Sequence, residues 1–130
     1  MTFEEFVRYV LWTYEHNHQV DAHFNSQYEN CRPCHINYDY IGHYETIHDD
    51  GRQLIRKFST GSNVHFPAFD SRVRGSSKYL NLYDTIPVTD IRRLLDFYKN
   101  DYILFGYNVP DFIRRRLDKA NTQNSSLNAY

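Results

Sequence analysis

Cys31-Arg32-Pro33-Cys34-His35 is the segment of this chain whose residue types and spacing most openly suggest chemistry. It has the C-x-x-C-H spacing by which c-type haem is attached. Met1 is the only methionine, so a sixth haem ligand would have to be a histidine. Six of the seven histidines (His16, His18, His23, His35, His43, His48) surround the two cysteines. Zinc is a second reading, since Cys31 and Cys34 supply one C-x2-C half-site. No second cysteine pair completes it, and His16 and His18, two residues apart, are poorly spaced for one helical face. A structural disulfide, or two buried thiols with histidines scattered over a polar surface, is the plainer alternative.

Other familiar chemistries are missing. The five glycines stand at 42, 51, 61, 75 and 106, so neither phosphate-cradling pattern, G-x-x-x-x-G-K-[ST] nor G-x-G-x-x-G, is present. There is no G-x-S-x-G elbow for a nucleophilic serine. Asn124-Ser125-Ser126 is a glycosylation sequon, informative only in a luminal protein.

The elements that must position these residues belong to one domain, because 130 residues support one core and not two comfortable ones. Hydrophobic residues at 41% allow a packed interior, and twelve Tyr and nine Phe point to large, half-polar buried surfaces. Fifteen Lys+Arg against sixteen Asp+Glu leaves a net charge of -1, which argues against a nucleic-acid partner. No apolar run approaches the roughly 20 residues of a membrane span. Glu4, Glu5 and Arg8 interrupt any signal-peptide core.

Thr2 and Glu5 form a capping box, and Phe3, Phe6, Val7, Val10, Leu11 and Tyr14 predict a half-buried helix. The chain from Asp21 to Pro33 has no sustained period. Ile36, Tyr38 and Tyr40 alternate with polar residues and predict a strand, with Tyr38, Tyr40 and Ile41 in its core. Thr46 is placed to cap a second helix with Asp49 and Asp50 in its first turn, and Ile47, Leu54, Ile55 and Phe58 on its apolar side. Gly51 should weaken that helix by about 1 kcal/mol relative to alanine. A long Ser/Gly-rich loop runs from Ser59 to Ser77. Pro87 then breaks the chain, and Thr89 is expected to cap a third helix burying Ile91, Leu94, Leu95 and Tyr98. Beyond Pro110 come a short amphipathic piece and an Asn/Ser-rich tail expected to be disordered.

Three ordered blocks resemble the C-terminal half of the Golgi carbohydrate sulfotransferases, the family of the chondroitin 4-O- and HNK-1 enzymes. The first is Thr2-Phe3-Glu4-Glu5-Phe6-Val7-Arg8-Tyr9-Val10, followed by His23-Phe24 where that family usually has His-Trp. The second is Cys31-Arg32-Pro33-Cys34 leading into Tyr38-Asp39-Tyr40-Ile41-Gly42-His43-Tyr44-Glu45-Thr46. The third runs from Tyr98 to Tyr107. The resemblance covers about residues 2 to 108.

The resemblance implies an α/β fold, the C-terminal part of a P-loop-kinase-like domain, here a helix-rich fragment with few strands. Residues 1–108 would be a partial carbohydrate sulfotransferase domain and 109–130 a short helix with a tail. The implied activity is transfer of a sulfuryl group from 3′-phosphoadenosine 5′-phosphosulfate (PAPS) to a hydroxyl of a glycan such as chondroitin, with no metal. The alternative is a non-catalytic binding or regulatory remnant. The family's phosphosulfate loop and its Arg/Ser segment for the 3′-phosphate lie upstream of these blocks, so the chain reads as a fragment, a truncated gene model or a degenerate copy. Its location by resemblance is the luminal side of the Golgi membrane, held only through an N-terminal anchor missing from these residues. By the same resemblance, Arg72, Arg74, Ser76, Ser77 and Lys78 would contact the nucleotide. On their own chemistry, His23, an imidazole beside an aromatic ring, and Glu45, a carboxylate just past the expected strand, are expected on the acceptor side. Cys31 and Cys34 would be oxidised, with each other or with other cysteines.

Overall fold

The computed structural model describes residues 1–59, 64–67 and 77–127. Two units are distinct: Met1–Ile36 together with Ser77–Tyr130, and Asn37–Ser76. In the first unit α1 spans Phe3–Glu15, α2 Gln27–Cys31, α4 Val88–Phe97, α5 Lys99–Leu104 and α6 Asp111–Leu127. The second unit contains α3, Ile47–Phe58, preceded by a 3-10 turn at Tyr44–Thr46.

The expected capping box starts α1. The Glu5 amide donates to Thr2 Oγ1 at 3.2 Å, and the Thr2 amide to Glu5 Oε2 at 2.7 Å. The apolar stripe carries Val7 and Leu11 into a core shared with Ile86, Ile91 and Ile113. Against this core pack Phe3, Phe6 and Tyr83, whose rings meet edge-on at 5.0 Å for Phe3 and Tyr83. Arg93 of α4 ties α4 to α1 by donating to Glu15 and, at 2.7 Å, to the buried Asp90. Arg116 of α6 donates to the carbonyl oxygens of Tyr83 and Ile86, satisfying backbone acceptors beside the core.

Several expectations are corrected. Among the described residues no strand forms, so residues 36–40 are not a strand and the α/β reading is not met within them; the helix-rich part of the reading is. A strand needs a partner to complete its ladder. Here Tyr40 instead turns its hydroxyl onto Asp50, and Tyr38, Tyr40 and Ile41 are exposed rather than core residues. Thr89 does not cap α4, because Pro87 occupies the N-cap and the helix begins at Val88. Pro87 has no N–H to leave unsatisfied there. Thr46 holds the N-cap position of α3 without capping it, its hydroxyl being spent on Asp50. The backbone of α6 is helical to Leu127, longer than the short piece its apolar residues predict.

Gly51 has a packing reason. A Cβ there would stand 2.2 Å from the Phe66 ring, so only glycine lets that ring lie on α3. Gly106, at φ +66°, takes the left-handed conformation that turns the chain after α5.

Candidate functional site

The segment before α2 is organised from a distance by the third sequence block. Ser26 caps α2, accepting from the Glu29 amide at 3.2 Å. The next two amides, of Gln27 and Tyr28, both donate at 2.8 Å to the carboxylate of Asp101. Asp101 is only 5% exposed, so these bonds are shielded from water. The α2 N-terminus supplies both the unsatisfied donors and the positive end of a dipole, and a carboxylate answers both. Tyr98 adds a hydroxyl bond to the Phe24 carbonyl at 2.6 Å, and Tyr107 one to Gln27 Oε1 at 2.8 Å.

These contacts shape a recess of about 410 Å³ whose wall includes His23, Phe24, Gln27, Tyr98, Tyr102 and Tyr107. Phe24 is held from behind by Phe6, edge-on at 4.7 Å. Burial, first, and the Asp101 charge raise the Tyr98 phenol above its ordinary value. Burial is also the first cause at Tyr102. Both therefore stay protonated hydrogen-bond donors at neutral pH.

His23 is the imidazole of this recess, and its side chain is 86% exposed. Its Nδ1 lies 2.7 Å from Asp21 Oδ1, which also accepts the His23 amide at 2.9 Å. Those two hydrogen bonds, amide first, hold the Asp21 carboxyl below its usual range. A carboxylate kept ionised can only accept, so Nδ1 is the ring's donor to it. Asp21 therefore orients the ring at the surface, where both side chains are largely exposed.

In the second unit the Tyr38–Thr46 block wraps one carboxylate. Asp50 accepts from the Tyr40 hydroxyl at 2.9 Å, the His43 amide at 3.1 Å and the Thr46 hydroxyl at 2.6 Å. The Thr46 bond is the first cause of a lowered Asp50 carboxyl, and the Asp50 bond raises the Tyr40 phenol. Gly42 belongs to the same arrangement, for a Cβ there would come within 3.0 Å of Asp50 Oδ2. Glu45 sits exposed on the 3-10 turn held this way.

His23 thus joins Tyr98, Tyr102 and Tyr107, while Glu45 belongs to the other unit. Cys31 ends α2 and Cys34 is exposed just beyond it; the two are not bonded to each other. Between them Arg32 caps α2 in the left-handed conformation, at φ +49°. Arg72, Arg74 and Ser76 lie outside the described residues. Ser77 and Lys78 open a 3-10 helix running to Thr85, with side chains outside the described set. Among the described residues no three His, Cys, Asp or Glu converge as a metal site, and no helix is long and apolar enough to cross a membrane. Sequence reasoning missed Asp21 and Asp101. The Asp-x-His spacing before Phe24 was a readable signal for the first, whereas Asp101 gave none.

Residues 1–108 match a family model described as the Sulfotransferase family. The chain is 29% identical over 114 residues to carbohydrate sulfotransferase 11 of Danio rerio, covering 86% of this chain and 32% of that protein. It is 32% identical over 116 residues to carbohydrate sulfotransferase 12 of Mus musculus, covering 88% of this chain and 28% of the relative. Carbohydrate sulfotransferase 10 of Gallus gallus is 34% identical over 123 residues, with 87% and 34% covered. The chain thus spans about a third of the length of these curated relatives. No solved structure matches it significantly.

Proposed function

The chain belongs to the sulfotransferase family, and from that premise we propose that it serves sulfuryl transfer from PAPS to a glycan hydroxyl, with the His23 recess on the acceptor side. The observation that carries this reading is the make-up of the recess. One oriented imidazole stands among aromatic rings and phenol hydroxyls in a space of about 410 Å³. Aromatic faces suit the C–H faces of a sugar, and phenols and amides suit its hydroxyls. His23 Nε2 accepts the proton of the attacking hydroxyl as its oxygen bonds to sulfur and the sulfur–oxygen bond to the donor phosphate breaks. Asp21 fixes the tautomer that makes this possible. Phe24 offers a ring without the N–H donor of a tryptophan.

On the donor side, Arg72, Arg74, Ser76, Ser77 and Lys78 hold the nucleotide phosphates, guanidinium forks and hydroxyls being suited to phosphate oxygens. Glu45 lies toward the acceptor. Cys31 and Cys34 are oxidised with cysteines other than each other, in keeping with a luminal Golgi location. The complete domain has the α/β, P-loop-kinase-like architecture.

The test is His23→Gln in the protein as the cell makes it, assayed with radiolabelled PAPS and a panel of glycan acceptors. Loss of a general base predicts a fall in kcat of about 100-fold or more with the KM for PAPS unchanged. Asp21→Asn should give a smaller loss and a displaced pH profile. Full turnover by His23→Gln across the pH range would refute the assignment.

A further inference from the structure

The polar side chains in the wall of the His23 recess are mostly paired with their neighbours, and two donors are left over. Asn25 accepts the Ser26 amide at 3.0 Å through Oδ1 and donates to Asn30 Oδ1 at 3.2 Å through Nδ2. Asn30 in turn donates to the Ala22 carbonyl at 2.9 Å. The Tyr98 and Tyr107 hydroxyl protons go to the Phe24 carbonyl and to Gln27 Oε1. Among the described residues, Gln27 Nε2 and the Tyr102 hydroxyl have no hydrogen-bond partner. Gln27 is the better placed of the two to read a ligand, because it is fixed at both ends. Its backbone amide is held by the buried Asp101 and its Oε1 by Tyr107, each at 2.8 Å. With Oε1 taken, the carboxamide has only its NH2 left, a group that donates and cannot accept. Among the described residues the same wall includes the Asp101 carboxylate and no Lys or Arg.

We propose that Gln27 selects the acceptor sugar: its Nε2 donates to an uncharged oxygen beside the reacting hydroxyl, so the recess takes a neutral sugar and turns a uronate away. The inference rests on the reading of this recess as the acceptor site. A carbonyl or hydroxyl oxygen is matched by neutral donors such as Gln27 Nε2 and the Tyr102 hydroxyl, whereas a carboxylate leaving water needs a cation. His23 is already paired with Asp21, and the Asp21 and Asp101 carboxylates repel a third. A donor held in place before the ligand arrives loses little rotamer freedom on binding. A sugar that offers it no oxygen leaves it unpaired, which sharpens the selection. In a glycan that alternates neutral and uronic sugars, Gln27 thus decides which of the two is sulfated.

The experiment measures binding, while turnover of His23→Gln decides the acceptor reading separately, so either can fail alone. The ¹⁵N-labelled 130-residue chain is titrated with a neutral probe, methyl 2-acetamido-2-deoxy-β-D-galactopyranoside, and a charged one, methyl β-D-glucuronide. The neutral glycoside should shift the side-chain NH2 signals of Gln27 and the amides of residues 23–27, and bind at least about fivefold more tightly than the glucuronide. Gln27→Glu keeps the oxygen that accepts from Tyr107 and removes the donor, and Gln27→Met removes the donor without adding charge. In both, affinity for the neutral glycoside should fall about five- to tenfold, the effect of one hydrogen bond. Tyr107→Phe keeps the donor but frees it, so the loss should be smaller, about twofold, with the Gln27 NH2 signals still responding. The bond to Asp101 comes from the Gln27 backbone and survives all three changes, so amide dispersion should be retained. Affinity for the neutral glycoside within about twofold of the parent in both Gln27 variants would overturn the proposal. So would equal or tighter binding of the glucuronide, or a failure of both probes to shift residues 23–27.

Discussion

Replacing Asp101 by asparagine tests the claim that a carboxylate on α5 holds the segment bearing His23. The side chain is 5% exposed and receives the Gln27 and Tyr28 amides, both at 2.8 Å. Helix α2 has only five residues and buries none of them fully, so little apolar contact would replace these bonds. Asparagine retains one acceptor oxygen and turns an NH2 toward the other amide, where two donors then face each other. A hydrogen bond to a charged group is worth about 1.5–3 kcal/mol net, so one lost bond should cost about 2 kcal/mol. Asp101→Ala, which strands both donors, should cost about 3 kcal/mol. A loss of 2 kcal/mol corresponds to roughly 6–10 °C in Tm for a chain of this length. Urea unfolding followed by circular dichroism gives the energy, and hydrogen exchange at Gln27 and Tyr28 shows where it was spent. The ring signals of His23 should move too, since the loop that carries it loses its anchor. Destabilisation below about 0.5 kcal/mol, with exchange at those amides unchanged, would refute the reasoning.

Ile91→Ala empties a 2% exposed core position and should destabilise by about 2–5 kcal/mol in chemical denaturation; a value below 1 would mean that α4 is not the centre of this core. Acid should also destabilise the protein. The carboxyls of Glu15, Asp21 and Asp50 are all held below their ordinary values, by hydrogen bonds from Arg93, from the His23 amide and ring, and from Thr46 with its neighbours, respectively. Such groups contribute stability that is fully present above their unfolded values and is lost as pH falls through the folded ones. Urea midpoints should therefore be level from neutral to about pH 5 and decline below about pH 4, and a midpoint that rises between pH 5 and 3 contradicts this.

What the sequence made legible depended on how far each residue's partner stood along the chain. The capping box of α1 closes over three residues and its apolar stripe over one helix, so both are found where local pattern places them. Helix α3 was legible for the same reason, although Gly51 within it looked like a weakness until Phe66, fifteen residues on, supplied its partner. The strand expected at 36–40 failed because alternating tyrosines carry no record of what they face. Tyr40 faces a carboxylate ten residues ahead, and a loop wrapped on that carboxylate alternates as a strand does. The third block inverts the usual inference altogether. Ile103 within it is 73% exposed while Asp101 is buried, because Asp101's partners are backbone amides more than seventy residues upstream. Hydropathy describes a residue's preference, but burial is decided by the partner, and an amide donor has no sequence signature. The same reasoning separates two kinds of residue in the blocks that resemble the family. His23 lines the recess with its side chain 86% exposed. Asp101 and Tyr98 have their hydrogen bonds committed to the backbone of residues 24–28 and so hold that segment, whereas Asp50 and Gly42 do the same within the Tyr38–Thr46 block of the other unit.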